Sequence, residues 1–333
     1  MICLSHSNKS RNFSRIALLV MIFWPFCVAA NGPLQDATSK QDTLSYWKTN
    51  AAFGLQFNQL SLSNWSAGGE SSVSGKATVD YKLVYMKDKQ SFDFQHKSMF
   101  GVVGYGERRI EKTEDRLDFA TSYSLQASRQ WKYSALITFK SQFANGYKYP
   151  NDSTLISAFM APGYLTASLG FRYVKTEHFS LFLSPASGKF TFVCNQELAD
   201  KGAFGVTKAM IDSIGNIIEP GHNLLPEFGI NVYANYNQSL SENIDLATNL
   251  TLYNNYLDPN KSNRWNIDVD WETTLNFSIN KSIQTVLYLI LKYDHNIDIP
   301  IYEVIDGVKQ QTGLGPRLQF KESLGIGLTY KLG

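Results

Sequence analysis

Between Trp265 and Asn280 the sequence WNIDVDWETTLNFSIN alternates almost without error. Trp265, Ile267, Val269, Trp271, Thr273, Leu275, Phe277 and Ile279 hold the odd positions, and Asn266, Asp268, Asp270, Glu272, Thr274, Asn276, Ser278 and Asn280 hold the even ones. Successive side chains of a strand point to opposite faces, so the spacing predicts one long strand with an apolar face and a charged, amide-rich face. Strands of soluble sandwiches usually run about five to six residues, and this alternation lasts about three times as long. At roughly 3.3 Å per residue and a tilt of about 45°, such a strand crosses a hydrocarbon layer. Its polar face would then line a barrel lumen and its apolar face would meet lipid.

The same period recurs along the chain. Val73, Ala77, Val79, Tyr81, Leu83 and Tyr85 stand against Ser74, Lys76, Thr78, Asp80 and Lys82, and Leu117, Phe119, Tyr123 and Leu125 against Arg116, Asp118, Ser122 and Ser124. Twelve strands are predicted, an even number, as bacterial outer-membrane barrels require. One of them, near Phe179 to Leu183, is expected to be short and to end at Ser184-Pro185, where proline removes a ladder donor. In the closing strand Glu322 interrupts the apolar set of Leu318, Phe320, Leu324, Ile326, Leu328, Tyr330 and Leu332, which predicts a bulge or a position near the membrane interface. Every second connection is short: Lys87 to Gln90, Arg129 to Lys132, Lys175 to His178, Leu240 to Asn243 and Asn280 to Ser282. Those between are mostly long: Gly104 to Glu114, Asn145 to Gly163, Ser184 to Asn223 and Asp294 to Pro316. Short periplasmic turns alternating with longer outward loops are expected of such barrels, whereas a soluble Greek key has no reason to keep that parity.

The N-terminus reads as a targeting signal. Lys9, Arg11 and Arg15 form a basic region, Ile16 to Cys27 an apolar core, and Val28-Ala29-Ala30 a small-residue cleavage site. The domain organisation expected is therefore a secretory signal peptide over 1–30, a short periplasmic lead over 31–45 and an outer-membrane barrel over 46–333. Removing the signal takes three positive and no negative residues, so the formal charge of +2 becomes 2 − 3 = −1. Nothing in that balance asks for nucleic acid as a partner. Cys3 and Cys27 leave with the signal, which predicts Cys194 as a lone thiol and excludes a disulfide framework.

Several segments resemble a family of uncharacterised outer-membrane proteins of Bacteroidetes, the DUF3078 family. They are Asn64-Trp65-Ser66-Ala67-Gly68-Gly69, the run from Ser184 to Val193, Gly202 to Val206, Tyr253 to Leu257, Asp268 to Glu272 and Gln319 to Glu322. The resemblance implies a diderm host and a barrel, and it implies no activity. Gly327, Tyr330 and Leu332 also resemble the C-terminal sorting signal of outer-membrane barrels, with Gly333 in place of the aromatic end.

Asp268, Asp270 and Glu272 share one strand face and repeat at about 7 Å. Arg317, Lys321 and Lys331 take the inward face of the closing strand by the same parity. Opposed charges of this kind either line a selective pore or fill the lumen with cross-strand ion pairs. Trp265, Trp271 and Tyr330 are read as interfacial anchors. The segment from Ser184 to Asn223 is the candidate for a binding or plugging element. Gly188-Lys189 within it lacks the flanking residues of a phosphate loop.

The function expected is a small channel or a structural or accessory component of the outer membrane. Its partners would be outer-membrane lipid, the barrel-assembly machinery during insertion, and outer-membrane proteins. The alternative is a membrane-embedded lipid hydrolase with a site at the outer rim. No serine motif accompanies His96, His178, His222 or His295, so no catalytic residue is assigned. No cofactor and no metal site is expected, since Asp294, His295 and Asp298 lack the spacing of a calcium loop.

Overall fold

The computed structural model describes residues 46–61, 71–105, 109–305 and 307–332. The expected signal peptide and lead, and the Asn64 to Gly69 segment, lie outside the described residues. Twelve long strands form the wall: β1 (Trp47–Leu60), β2 (Ser72–Lys87), β3 (Gln90–Tyr105), β4 (Arg109–Gln126), β5 (Trp131–Ser141), β6 (Gly163–Val174), β7 (Phe179–Phe192), β8 (Leu224–Ser241), β9 (Ile244–Asn254), β10 (Asp268–Ser278), β11 (Ile283–Tyr293) and β12 (Gln319–Leu332). Each bonds to its sequence neighbours, and β12 returns to β1, so the sheet is a closed antiparallel barrel.

Alternation explains the wall. In β10 the even positions enter the lumen, where Glu272 is buried, while Trp271 on the other face is exposed. The outward set includes Leu55, Ile137, Leu169, Phe171, Leu324 and Leu328, all exposed. At the end where β1 begins and β12 finishes, aromatic rings gather on this outer surface. Trp47 lies 4.7 Å from Tyr85, Trp131 5.0 Å from Tyr173, and Tyr133 5.7 Å from Phe171 between ring centroids. Tyr330 joins them, opposite Phe53.

Three departures from the sequence reading have physical causes. First, β7 does not stop at Pro185; it runs on to Phe192. Asn231 is opposite Ser184 and Gly229 opposite Ser187, so two residues, Pro185 and Ala186, face Ile230 alone. A bulge leaves its extra residue outside the ladder, which is where a residue without an N–H fits. Ser184 Oγ donates within this bulge to the carbonyls of Leu169 and Ala186 at 2.8 and 2.9 Å. Second, the expected long connection from Gly104 to Glu114 is mostly strand. Tyr105 pairs with Arg109, with a bulge between Gly101 and Val102. Charged residues on both faces hid that extension. Third, of the two readings offered for Glu322 the bulge is absent: β12 keeps unbroken register past it, and Glu322 faces outward opposite Leu289 three residues from the start of the strand, leaving the position near the strand's end.

Trp265 also moves. It ends a 3-10 helix, Lys261–Trp265, ahead of β10 and is 87% exposed. The polar run Asn260 to Asn263 forms this turn, with Asn260 accepting from Ser262 N at 3.1 Å. The strand expected from Trp265 to Asn280 is thereby shortened to Asp268–Ser278.

The connections at the far end build out from the wall. A short helix, α1 (Gln196–Asp200), is capped by Asn195, whose side chain accepts from Leu198 N at 3.0 Å. Ala158, Ala161, Val193, Leu198, Ala199 and Val206 form a buried apolar cluster that joins the β5–β6 and β7–β8 connections. The Ser184 to Asn223 segment thus divides: its first part is wall, and its remainder is part of this outer cap. A hairpin of Ile299–Ile305 and Val308–Gly315 rises from the last connection. Cys194 is disulfide-bonded, so the expectation of a lone thiol applies only to a chain from which Cys3 and Cys27 have been removed.

Candidate functional site: a charged clasp across the lumen

Same-face spacing brings Asp268, Asp270 and Glu272 into the barrel, and what they meet there defines its interior. Arg116, inward on β4, reaches Glu272 with two parallel bonds, Nη1 to Oε2 and Nη2 to Oε1, both 2.9 Å. In the ring of twelve, β4 and β10 are six strands apart, so this pair spans the barrel from wall to opposite wall. Bidentate guanidinium–carboxylate pairs fix geometry as well as charge. Arg116 Nε also donates to Asp118 at 2.7 Å, and the Tyr288 hydroxyl sits against both Arg116 and Glu272. Lys140 of β5 adds a second bridge to Asp270 at 2.8 Å, with Lys292 3.6 Å from the same carboxylate.

Nearer the end with the capped connections, Lys189 of β7 gathers three carboxylates. Asp268 lies at 2.8 Å, Glu227 at 3.2 Å and Asp294 at 3.5 Å. The ammonium stands 5.1 Å over the Tyr253 ring, and Asn296 donates to Glu227 at 3.1 Å. Toward the end with the short turns, the Arg172 guanidinium lies over the fully buried Phe182 ring. Hydroxyl chains fill the intervening wall, with Ser187 bonded to both Ser168 and Ser184. Buried polar groups of this kind need such partners.

The other expected lumen charges take no part in this clasp. Lys321 is inward, as its parity predicts, and pairs with Glu114 at 2.5 Å. Arg317 is exposed in the connection before β12, and Lys331 is exposed where β12 finishes, lining a cleft with Asn280, Gln284 and Thr329. The closing strand therefore does not oppose β10. The partners that sequence reasoning missed are Arg116, Lys140 and Lys189. Arg116 was visible as an inward residue by parity, but Lys189 was not. The Pro185 bulge shifts inward parity in β7 from even to odd, and only that shift turns Lys189 into the lumen.

Trp271 is on the outer face, and its indole N–H donates to Thr248 Oγ1 at 2.9 Å. Thr248 also bonds Thr273 at 2.9 Å, so outward hydroxyls satisfy one another. Trp271→Phe is expected to cost about 1 kcal/mol in urea unfolding, the size of one net hydrogen bond, because Thr273 still serves Thr248.

Among the described residues no histidine side chain bonds a serine hydroxyl. His96 faces outward, stacks on Phe119 at 4.6 Å and donates from Nδ1 to the Asp118 carbonyl at 3.2 Å. His178 lies immediately before β7 and donates to the Asn237 carbonyl at 3.0 Å. Among the described residues no group of three His, Cys, Asp or Glu is arranged to hold a metal ion.

The wall that supplies Arg116 and Lys140 is also where the sequence matches a known family. Residues 57–147 match the family model "Protein of unknown function (DUF3078)". The DUF3078 match spans less than a third of the chain and leaves β10, with the carboxylate half of the clasp, outside it. No curated protein matches the sequence. Among solved structures, the NanC porin is similar at 11% identity over 85% of this chain and 100% of that chain, with a TM-score of 0.35. The COG4313 outer membrane channel from Pseudomonas putida F1 is similar at 10% identity over 88% and 100%, also with a TM-score of 0.35. The translocator domain of autotransporter NalP from Neisseria meningitidis shows 9% identity over 95% of each chain and a TM-score of 0.30. Overlap of this kind is too loose to transfer any property.

Proposed function

We propose that this chain is an outer-membrane barrel whose lumen is shut by its own ion pairs, a structural or accessory component of the membrane wall rather than an open diffusion pore. The observation that carries the reading is the Arg116–Glu272 pair joining opposite walls. Lys140, Asp270 and the Lys189 cluster thicken that barrier on one side, and Arg172 over Phe182 narrows the other. Support for the membrane comes from the outer surface, where large apolar side chains ring the wall and aromatics collect at one rim. An apolar belt of that extent far exceeds the patches soluble monomers expose, and aromatic girdles mark membrane interfaces. The short turns then face the periplasm, and the capped connections face outward.

Cell fractionation is expected to place the protein in the detergent-resistant outer-membrane pellet, and recovery as a soluble periplasmic species would reject the membrane assignment. Purified protein in planar bilayers is expected to be electrically silent. Steady single-channel conductance from the wild-type barrel would show that the clasp does not close it. Co-purification from native membranes would identify protein partners of an accessory role.

A further inference from the structure

The wall is not closed equally all round. β1 pairs with β2 along its whole length, from Trp47 opposite Tyr85 to Leu60 opposite Ser72. Against β12 it pairs only from Ala51 opposite Leu332 to Gln56 opposite Gly327. Beyond that point, among the described residues, Phe57–Leu60 and Gln319–Ile326 have no ladder between them. β12 nevertheless stays paired with β11 as far as Gln319 opposite Lys292, so β12 itself is not frayed. Open strand edges are not tolerated against hydrocarbon, and irregular backbone occurs at membrane depth only where it meets protein or a wet cavity. The outer half of this one seam therefore calls for polar groups beside it.

Side chains supply them. Lys76 of β2, level with Gln56 of β1, reaches past β1 to Ser323 Oγ of β12 at 3.2 Å. Lys321, two residues on, extends to Glu114 on β4. Two ammonium groups and one carboxylate thus stand behind the gap, an excess of positive charge. Lys189, by contrast, has three carboxylates around it. On the outer side of the same gap, Phe57, Phe320, Leu324 and Ile326 present exposed apolar surface.

We propose that the outer half of the β1–β12 seam is a lateral opening in the wall, through which an amphiphile with an anionic head and an acyl tail docks from the membrane, its head at Lys76 and Lys321 and its tail along Phe57 and Leu324. The charge of the inner rim and the apolar outer rim match the two ends of such a molecule. The proposal rests on the barrel's spanning a membrane, and it leaves the closure of the lumen by the clasp untouched.

The test uses single cysteines in a Cys194→Ala background, labelled with bimane and reconstituted in phosphatidylcholine vesicles, with nitroxide-labelled stearic acid as an anionic quencher confined to the bilayer. Ile137→Cys and Thr138→Cys report the outer and inner faces of ordinary wall, and Leu324→Cys and Ser323→Cys report the same two faces at the seam. Ile137 and Leu324 are expected to be quenched and Thr138 spared, while Ser323 is quenched at least half as strongly as Leu324. Adding Lys76→Ala and Lys321→Ala is expected to cut quenching at Ser323 about threefold and to leave Leu324 unchanged. A Ser323 label spared like Thr138 would overturn the opening, whether the seam zips shut or another strand fills it. Quenching at Ser323 indifferent to both lysines would overturn the role of the anionic head. An unquenched Ile137 would instead sink the membrane assignment itself, so the two failures are distinguishable.

Discussion

Glu272→Ala is expected to destabilise the barrel by about 3 kcal/mol, the usual scale for removing one member of a buried ion pair. Glu272 accepts both outer nitrogens of Arg116 and lies 3.7 Å from Lys140. Deleting it strands two cations in the lumen with Asp118 and Asp270 as their remaining partners. Removing Arg116 as well takes away one of the stranded charges, so the double variant Arg116→Ala/Glu272→Ala is expected to be less destabilised than the two single effects added together. Residues that touch fail additivity by about 0.5–3 kcal/mol. Urea titrations followed by tryptophan fluorescence in lipid vesicles measure all four corners of that cycle. Strict additivity would mean that the lumen is wet enough to screen the pair, and the clasp would then be a contact without mechanical consequence.

A larger effect is expected at the Pro185 bulge. A Cβ built on Gly229 would stand 1.9 Å from the Asn254 carbonyl oxygen, and one on Gly170 would stand 2.1 Å from the Leu183 carbonyl oxygen. Both obstacles are backbone in adjacent strands, so neither can rotate away. Gly170→Ala and Gly229→Ala are therefore each expected to exceed about 4 kcal/mol, beyond the ordinary range for point substitutions. The readout is the folded, fast-migrating band of an unheated barrel on a denaturing gel, expected to vanish in both variants. Gly215→Ala, in an outer turn where nothing lies near a built Cβ, controls for glycine replacement as such, although its φ of +92° carries a strain of its own. Normal folding of Gly170→Ala would show that the strands can separate at the bulge more easily than their register implies.

The wall was largely legible because lipid outside and polar groups inside impose a period of two that no single residue can disguise. Strand number, the alternation of short and long connections, and the inward set of β10 all follow from that period. Legibility failed where the period was interrupted or had no apolar side to show. At Pro185 one extra residue reverses the parity of everything after it, so Lys189 read as loop. From Arg109 to Glu114 charged residues fall at both odd and even positions of β4, so strand read as connection. Trp265 continued the pattern by sequence, yet the asparagines before it had a better use as a helical turn. The partners of Asp268, Asp270 and Glu272 were illegible for another reason. Parity states which residues point inward, but not which of the other strands lies across the ring, and that depends on the closure of all twelve.

Because every strand lies beside its chain neighbours, eleven of the twelve joints in the ring are local hairpins, and only the joint between β1 and β12 links residues far apart in sequence. Loop-closure entropy rises only slowly with length, and of the twelve joints this one closes the longest loop. Contacts of high sequence separation also form late and slowly. The nascent cylinder therefore completes itself by a single terminal event, and a chain truncated before Gln319 would reach the membrane as a curled ribbon with two raw margins.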